Sequence, residues 1–123
     1  MTAAASILIV DDSPSIRKMV RAALGSARFA VIEAVDGCDA LEKAMAQPFD
    51  LVLTDQNMPG MDGIALTRKL RQQPHLSSTP IIILTTESGA PLKQAGRSAG
   101  ATGWMVKPFD PATLVQVVRQ LTA

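Results

Sequence analysis

The segment Ile7-Leu8-Ile9-Val10-Asp11-Asp12 ends a run of four apolar residues at two adjacent aspartates. An unbroken apolar run of this length is typical of a strand buried on both faces, as in a parallel sheet covered by helices. Three later runs end in the same way, each at a carboxylate, a hydroxyl or an ammonium side chain. These are Leu51–Thr54 before Asp55, Ile81–Leu84 before Thr85, and Trp104–Val106 before Lys107.

Segments with helical periodicity separate these runs. In the first of them, Ile16, Val20 and Leu24 recur on one helix face, behind Ser13 as the cap and Pro14 at the first helical position. The other predicted elements, in chain order, are a strand over Phe29–Ala34, a helix through Leu41 and Met45, a helix over Asp62–Gln73 before Pro74, a helix over Ser88–Gly100 that Gly96 weakens, and a last helix capped by Asp110.

Five predicted strands therefore alternate with five predicted helices. Right-handed crossovers fold this pattern into an α/β domain with a doubly wound parallel sheet. Ligands of such sheets bind at the carboxyl ends of the strands. We therefore expect Asp11, Asp12 and Asp55 to lie at one rim of the sheet, together with Thr85 and Lys107.

These five side chains suit phosphoryl transfer. Three carboxylates in one crevice repel each other, and a bound Mg²⁺ would offset their charge because it prefers oxygen ligands. Asp55 ends the central strand, and attack of its carboxylate on phosphorus would give an aspartyl phosphate. Lys107 and Thr85 can pair with phosphoryl oxygens. Each residue alone also fits an ordinary cap, turn or strand end, and it is the combination that favours the functional interpretation.

The composition predicts one globular domain over residues 1–123, with 47% apolar and 19% charged residues. The net charge of +1 argues against binding to nucleic acid. The amino terminus resembles neither a signal peptide nor a membrane span, so we expect a cytoplasmic protein that does not enter a membrane. The lone Cys38 is expected in the core, at helical spacing with Leu41 and Met45, and the lone His75 at the surface.

Four motifs resemble the receiver domain of two-component response regulators, over essentially the whole chain. They are Ile9-Val10-Asp11-Asp12, Asp55-Gln56-Asn57-Met58-Pro59-Gly60-Met61-Asp62-Gly63, Leu84-Thr85, and Lys107-Pro108-Phe109. Together they are highly specific. The resemblance implies the flavodoxin-like strand order 2-1-3-4-5, in which strands one and three are neighbours.

The resemblance also implies roles for the acidic residues. Asp55 would accept a phosphoryl group from the phosphohistidine of a histidine kinase or a histidine phosphotransfer domain. Asp12 and Asp55 would bind Mg²⁺ directly, Asp11 largely through water, and Asn57 through its backbone carbonyl. Such a protein is no enzyme with a separate substrate, but a signalling protein that promotes its own phosphorylation and dephosphorylation.

The remaining implied roles concern the response to phosphorylation. Thr85 and Lys107 would contact the phosphoryl group, and the Lys107–Pro108 bond would be cis, as it is in the family. Trp104 matches the family's aromatic switch position, with a plain core residue as the alternative. A protein target would bind the face formed by helix four, strand five and helix five. The phosphodonor would dock on helix one, which carries Arg17, Lys18 and Arg21.

A regulator of chemotaxis or motility is the leading interpretation. Asn57 and Glu87 resemble the pair that flanks the hydrolytic water in CheY-type regulators, which dephosphorylate themselves quickly. Since one helix follows the last strand, we expect a stand-alone monomer without an output domain. A receiver belonging to a larger regulator or hybrid kinase, and a single-domain phosphorelay shuttle, are alternatives.

Two other classes fit the residues less well. A phosphatase of the haloacid dehalogenase type would need an Asp-any-Asp motif after the first strand, but Ser13 follows the Asp11-Asp12 pair. A flavodoxin-like electron carrier would need a phosphate-binding loop rich in Ser, Thr and Gly at the same place.

Overall fold

The computed structural model describes residues 4–86 and 89–123, and in them the chain forms one sheet of five parallel strands. The strands are β1 (Ser6–Val10), β2 (Ala30–Ala34), β3 (Leu51–Asp55), β4 (Ile81–Thr85) and β5 (Gly103–Val106). They pair in the order β2-β1-β3-β4-β5. This order confirms the doubly wound, flavodoxin-like sheet that the sequence predicts.

Five α-helices lie between and after the strands in the described part of the chain. They are α1 (Pro14–Ser26), α2 (Gly37–Ala46), α3 (Gly63–Arg71), α4 (Ala90–Ala99) and α5 (Pro111–Thr122). A short 3-10 helix, Pro74–Leu76, precedes β4. No helix in these ranges is both long and apolar enough to span a membrane. The cytoplasmic location stays a prediction.

Helices cover both faces of the sheet and bury nearly every residue of β1, β3 and β4. On one face, Val20 and Leu24 of α1 and Leu114 and Val118 of α5 pack on Ile7, Ile9, Leu51 and Leu53. On the other, Ala40 and Ala44 of α2 and Leu66 and Leu70 of α3 pack on Leu8, Val10 and Val52. This burial on both faces explains the unbroken apolar runs of the sequence.

The helix predicted over Asp62–Gln73 is shorter than expected at both ends. Asp62 lies outside α3 as its cap, because its side chain accepts a hydrogen bond from the backbone N–H of Ala65 at 2.8 Å. After Arg71 the chain turns, and the Arg71 guanidinium donates to the carbonyl oxygens of Leu76 and Thr79. Similarly, α4 ends before Gly100, which takes a left-handed conformation with φ of 106°.

The prediction of a buried Cys38 is wrong, because its side chain is exposed. The inner face of α2 consists of the small residues Gly37, Ala40 and Ala44, which lets the helix lie close to the sheet. Cys38 and Met45 lie off that face, and Met45 is 55% exposed. His75 is exposed as predicted.

Candidate functional site

Three carboxylates meet at the carboxyl ends of the two central strands. Asp11 and Asp12 follow β1, and Asp55 ends β3, which pairs with β1. One oxygen of each carboxylate lies within 4.8 Å of the others. Asp11 is 1% and Asp55 5% exposed, whereas Asp12 is open to solvent. The convergence that the sequence predicts is therefore observed.

Lys107 brings a positive charge to the same cluster. It follows β5, and its Nζ lies 3.0 Å from Oδ1 of Asp55 and 3.3 Å from Oδ2 of Asp11. Its backbone N–H donates to the carbonyl of Thr85 at 2.6 Å, which fixes the start of its loop. The Lys107–Pro108 bond is cis, as the resemblance implied. One cation thus partly neutralises two buried carboxylates.

The pKa values of two groups reflect this crowding. Burial, and then the charge of Asp55, raise the pKa of the Asp11 carboxyl, although the N–H of Ser13 and the Lys107 ammonium oppose the rise. Burial alone would lower the pKa of Lys107, but its hydrogen bond to Asp55 and the charges of both carboxylates outweigh burial and raise it. The lysine therefore stays protonated, while Asp11 bears the cost of desolvation.

The cluster has the donors that Mg²⁺ requires. All three candidate ligands are carboxylates, and hard oxygen ligands in this number suit Mg²⁺ rather than a metal that prefers sulfur or nitrogen. Within the described ranges, no other group of three acidic, histidine or cysteine side chains comes this close together. The residues present therefore fit a magnesium ion.

The other predicted site residues lie around this cluster in different ways. Thr85 ends β4 and is fully buried. It directly follows Leu84, which pairs with Asp55 in the register of β3 and β4. Asn57 is exposed in the loop after β3. Glu87 lies outside the described residues. The ligand role of Asn57 and the proposed effect of Glu87 on dephosphorylation therefore stay predictions.

Two residues that contact the end of β3 position Asp55, and the sequence assigned a role to neither of them. The buried Gln56 side chain accepts a hydrogen bond from the N–H of Ile64 at 2.9 Å, which ties the end of β3 to the first turn of α3. A Cβ at Gly63 would lie 2.6 Å from the carbonyl oxygen of Asp55, so only glycine lets α3 approach this closely. The Asp62 cap before Gly63 is the signal that could have located this contact.

The basic residues of α1, the helix expected to dock the phosphodonor, have different surroundings, and Arg17 is held by two groups of the protein. Its guanidinium donates to the carbonyl of Asp11 at 2.6 Å and pairs with Glu33 of β2 at 3.2 Å, and its side chain is 14% exposed. Arg21 pairs with the same carboxylate at 2.8 Å. Arg17 therefore fixes the backbone of Asp11 through its carbonyl, whereas Lys18 is exposed on α1.

Trp104 lies on β5 beside α4. It pairs with Ile83 in the sheet register and packs against a cluster of Ile64, Ile83 and Ala99. The ring is half-buried. A separate apolar cavity of about 320 Å³ opens next to the acidic cluster, lined by Ile16, Met19, Thr86, Lys107, Pro108 and Phe109.

Comparisons with known proteins agree with this geometry. Residues 7–119 match the family model of the response regulator receiver domain. Over 94% of the chain, it is 38% identical to the transcriptional regulatory protein ResD of Bacillus subtilis and 43% identical to the sensor protein EvgS of Escherichia coli. The matched region spans 47% of ResD and 10% of EvgS, so the chain covers half or less of these relatives.

Two solved structures are similar over nearly the full length of both chains. The chemotaxis protein CheY4 of Vibrio cholerae superposes with a TM-score of 0.94 and 45% identity, covering 97% of this chain and 99% of that one. The receiver domain of the sensor histidine kinase PA1611 from Pseudomonas aeruginosa superposes with a TM-score of 0.89 and 31% identity, covering 98% of each chain. That domain holds a magnesium ion in its active-site cleft.

Proposed function

Because the chain belongs to the response regulator receiver domain family, we propose that its Asp55 accepts a phosphoryl group from a histidine kinase or a histidine phosphotransfer domain. An oxygen of the Asp55 carboxylate attacks phosphorus, the bond between phosphorus and the donor histidine breaks, and the imidazole leaves with the electron pair. The product is an aspartyl phosphate. The observation that carries this proposal is Asp55 at the end of the central strand, buried and 3.0 Å from the Lys107 ammonium.

Asp55 is a better nucleophile candidate than its two neighbours. Asp11 is engaged on both oxygens, by the N–H of Ser13 at 2.9 Å and by Lys107. Asp12 is exposed to solvent. The Asp55 side chain combines shelter from bulk water with a central position between Asp11, Lys107 and the end of β4.

Magnesium would be held by Asp12 and Asp55, by the backbone carbonyl of Asn57, and by Asp11 through water. When bound, the ion neutralises charge on the carboxylates and on the incoming phosphoryl oxygens. The clustering of the three carboxylates within 4.8 Å supports this assignment. The Lys107 ammonium and the Thr85 hydroxyl would bind the remaining phosphoryl oxygens.

Phosphorylation would then act as a switch. A dianionic group on Asp55 draws Thr85 and its loop towards it, and the Trp104 ring responds to the new position of β4. The register supports this route, because β4 pairs directly with both β3 and β5. The face formed by α4, β5 and α5 would carry the change to a protein target by shifting an existing equilibrium between two conformations.

The phosphodonor would dock beside the apolar cavity that opens next to Lys107. Met19 is 38% exposed there, and the exposed Lys18 precedes it on α1. An apolar patch beside a buried nucleophile can exclude water while the phosphoryl group passes between the proteins. Arg17 takes no part in docking in this proposal, since Glu33 and the Asp11 carbonyl hold it.

A role in chemotaxis or motility is the one we favour. The 45% identity to the chemotaxis protein CheY4 supports it. Fast self-dephosphorylation, modulated by Asn57 and Glu87, belongs to this proposal. A receiver within a longer regulator or a phosphorelay shuttle would use the same Asp55 chemistry.

Incubation with Mg²⁺ and acetyl phosphate, followed by intact mass and by fluorescence of the chain's one tryptophan, tests the proposal. We expect the mass of one phosphoryl group and a change in Trp104 emission, both lost in Asp55→Asn. Asp50→Asn is the matched control, because Asp50 precedes the same strand at its opposite end. A mass gain that persists in Asp55→Asn would assign the phosphoryl group to another residue.

A further inference from the structure

Gly96 lies inside α4 at the point where the Trp104 ring packs against the helix. It is buried, and six residues of the helix, 90–95, precede it. A Cβ built on Gly96 would lie 2.8 Å from Cζ3 and 3.2 Å from Cε3 of Trp104, and 3.5 Å from Cδ1 of Ile83. Real Cβ atoms essentially never approach a neighbour to within 3.0 Å. Any other residue at position 96 would therefore displace the ring or the helix.

The backbone gives no other reason for glycine here. Gly96 has ordinary helical geometry, unlike Gly60 and Gly100, which have positive φ angles. Inside a helix, glycine is less favourable than alanine, so this position lowers the stability of α4. The close contact with the indole ring accounts for a glycine that the helix itself does not need.

We infer that Gly96 is a positioning residue for Trp104, whose ring lies in the space that the missing side chain leaves. The part of this inference that concerns signalling rests on the proposed phosphorylation of Asp55. A ring seated on Gly96 links β5 to α4, two of the three elements of the proposed target-binding face. The residue at position 96 thus sets how strongly the position of the ring against α4 is favoured over a displaced position.

There is room for the ring to move when that seat is filled. A cavity of about 110 Å³ borders the ring, lined by Lys93, Arg97, Ala101, Thr102, Gly103 and Trp104. A methyl group at position 96 would push the six-membered part of the indole away from the helix. The ring would become more exposed to water without any change in the acidic cluster.

Gly96→Ala tests the inference in the unphosphorylated protein. We expect Trp104 emission to shift to longer wavelength and acrylamide to quench it more strongly, because the ring leaves its seat. Gly25→Ala is the matched control: Gly25 is also in a helix, and a Cβ there would have no neighbour within 4 Å. That variant should raise the urea midpoint and leave the emission unchanged.

Combining Gly96→Ala with Trp104→Ala distinguishes a collision with the ring from a general effect of alanine on the stability of α4. In Trp104→Ala, the added Gly96→Ala change should raise the urea midpoint as Gly25→Ala does, because no ring remains to collide with. If Gly96→Ala alone fails to fold, recovery of folding in the Trp104→Ala background supports the same contact. Failure to recover in that background overturns the inference.

Unchanged emission and quenching in Gly96→Ala, together with a raised urea midpoint, would also overturn it. Neither result bears on the mass gain at Asp55. Conversely, a protein that acetyl phosphate does not phosphorylate would still show the ring displacement. In a protein that is phosphorylated, the emission change on phosphorylation should be smaller in Gly96→Ala than in the wild type, because the ring can no longer alternate between its position on residue 96 and a displaced one.

Discussion

The two edges of the sheet are held in different ways. At the β2 edge, Glu33 accepts hydrogen bonds from both Arg17 and Arg21, and Lys43 donates to its carbonyl oxygen. At the β5 edge, the N-cap of α4 is Gly89, which has no side chain to cap the helix, and the buried residues of α4 are Gly96 and Ala99. The β2 edge is thus cross-linked by charged groups around one strand residue, whereas α4 at the β5 edge buries only small residues, and Arg71 binds the carbonyl of Gly100 at its end.

This difference between the edges fits the roles proposed for them. The cross-linked edge lies behind Asp11, whose carbonyl Arg17 binds, so the acidic cluster is held in place. The sparsely packed edge carries Trp104 and the proposed target-binding face. Segments with few buried contacts open at low free-energy cost, and moving elements are drawn from them. In the proposed switch, a firmly held acidic site on β1 and β3 would thus be combined with a movable readout at the β5 edge of the same sheet.

The largest expected effect compares a leucine from each edge. Leu24 of α1 is fully buried, and Leu24→Ala should lower the free energy of unfolding by about 2–5 kcal/mol. Leu92 of α4 is half-buried, and Leu92→Ala should cost about 1 kcal/mol, because less apolar surface is lost. Urea unfolding gives both values. Equal losses would show that the two edges are held equally tightly.

The next largest effect is expected for Glu33, which binds both arginines at the β2 edge. Glu33→Gln should cost about 1–2 kcal/mol, because Arg17 is largely buried and loses its charged partner. It should also weaken Mg²⁺ binding, measured by calorimetry, since Arg17 would hold the Asp11 carbonyl less firmly. The control is Glu42→Gln on the exposed side of α2, which should change neither quantity measurably. Unchanged Mg²⁺ affinity in Glu33→Gln would show that the ion pairs of Glu33 do not influence the acidic site.

The sequence predicts the strands and the acidic rim because both depend on local patterns. Unbroken apolar runs mark β1, β3 and β4 and end at the acidic residues, and the strand order implied by the family resemblance makes β1 and β3 neighbours, which brings Asp55 to Asp11. The Glu33 network could not be predicted, because it depends on side chains of β2 meeting those of α1 and α2. Cys38 was misplaced for a related reason: the inner face of α2 is built from glycine and alanine, which give a weak apolar signal.

A smaller effect compares two caps of the same residue type. Asp36 caps α2 by accepting from the N–H of Asp39 at 2.8 Å, so Asp36→Ala should cost about 1 kcal/mol. Asp110 occupies the same position before α5, but its carboxylate accepts from the Thr113 hydroxyl and caps no backbone N–H. Asp110→Ala should therefore cost under about 0.5 kcal/mol in the same urea experiment. If Asp110→Ala lost as much stability as Asp36→Ala, the two helices would be capped equally well and this contrast between the edges would be wrong.

The smallest expected effect is a pH-dependent contribution to stability, which should have opposite signs for the carboxyl groups of Asp39 and Asp11. The N–H of Val35, and then Lys43, lower the pKa of Asp39 in the cross-linked edge, although burial opposes them. Its charged form stabilises the fold above its ordinary pKa, and that contribution is lost as the pH falls through the lowered value. Asp39→Asn should therefore lower the free energy of unfolding at neutral pH, with the loss shrinking in acid.

Asp11 should behave in the opposite way. Its raised pKa means that the folded state favours the protonated form, so its contribution to stability falls as the pH rises from its ordinary pKa through the raised value. Asp11→Asn, measured with a chelator present, should therefore raise the free energy of unfolding at neutral pH and lose this advantage in acid. The site would then be weaker in Mg²⁺ binding and yet more stable, as expected where function holds like charges together. Destabilisation by Asp11→Asn at neutral pH would mean that the Asp11 carboxylate, with Lys107 and the N–H of Ser13, supports the fold as the Asp39 network does.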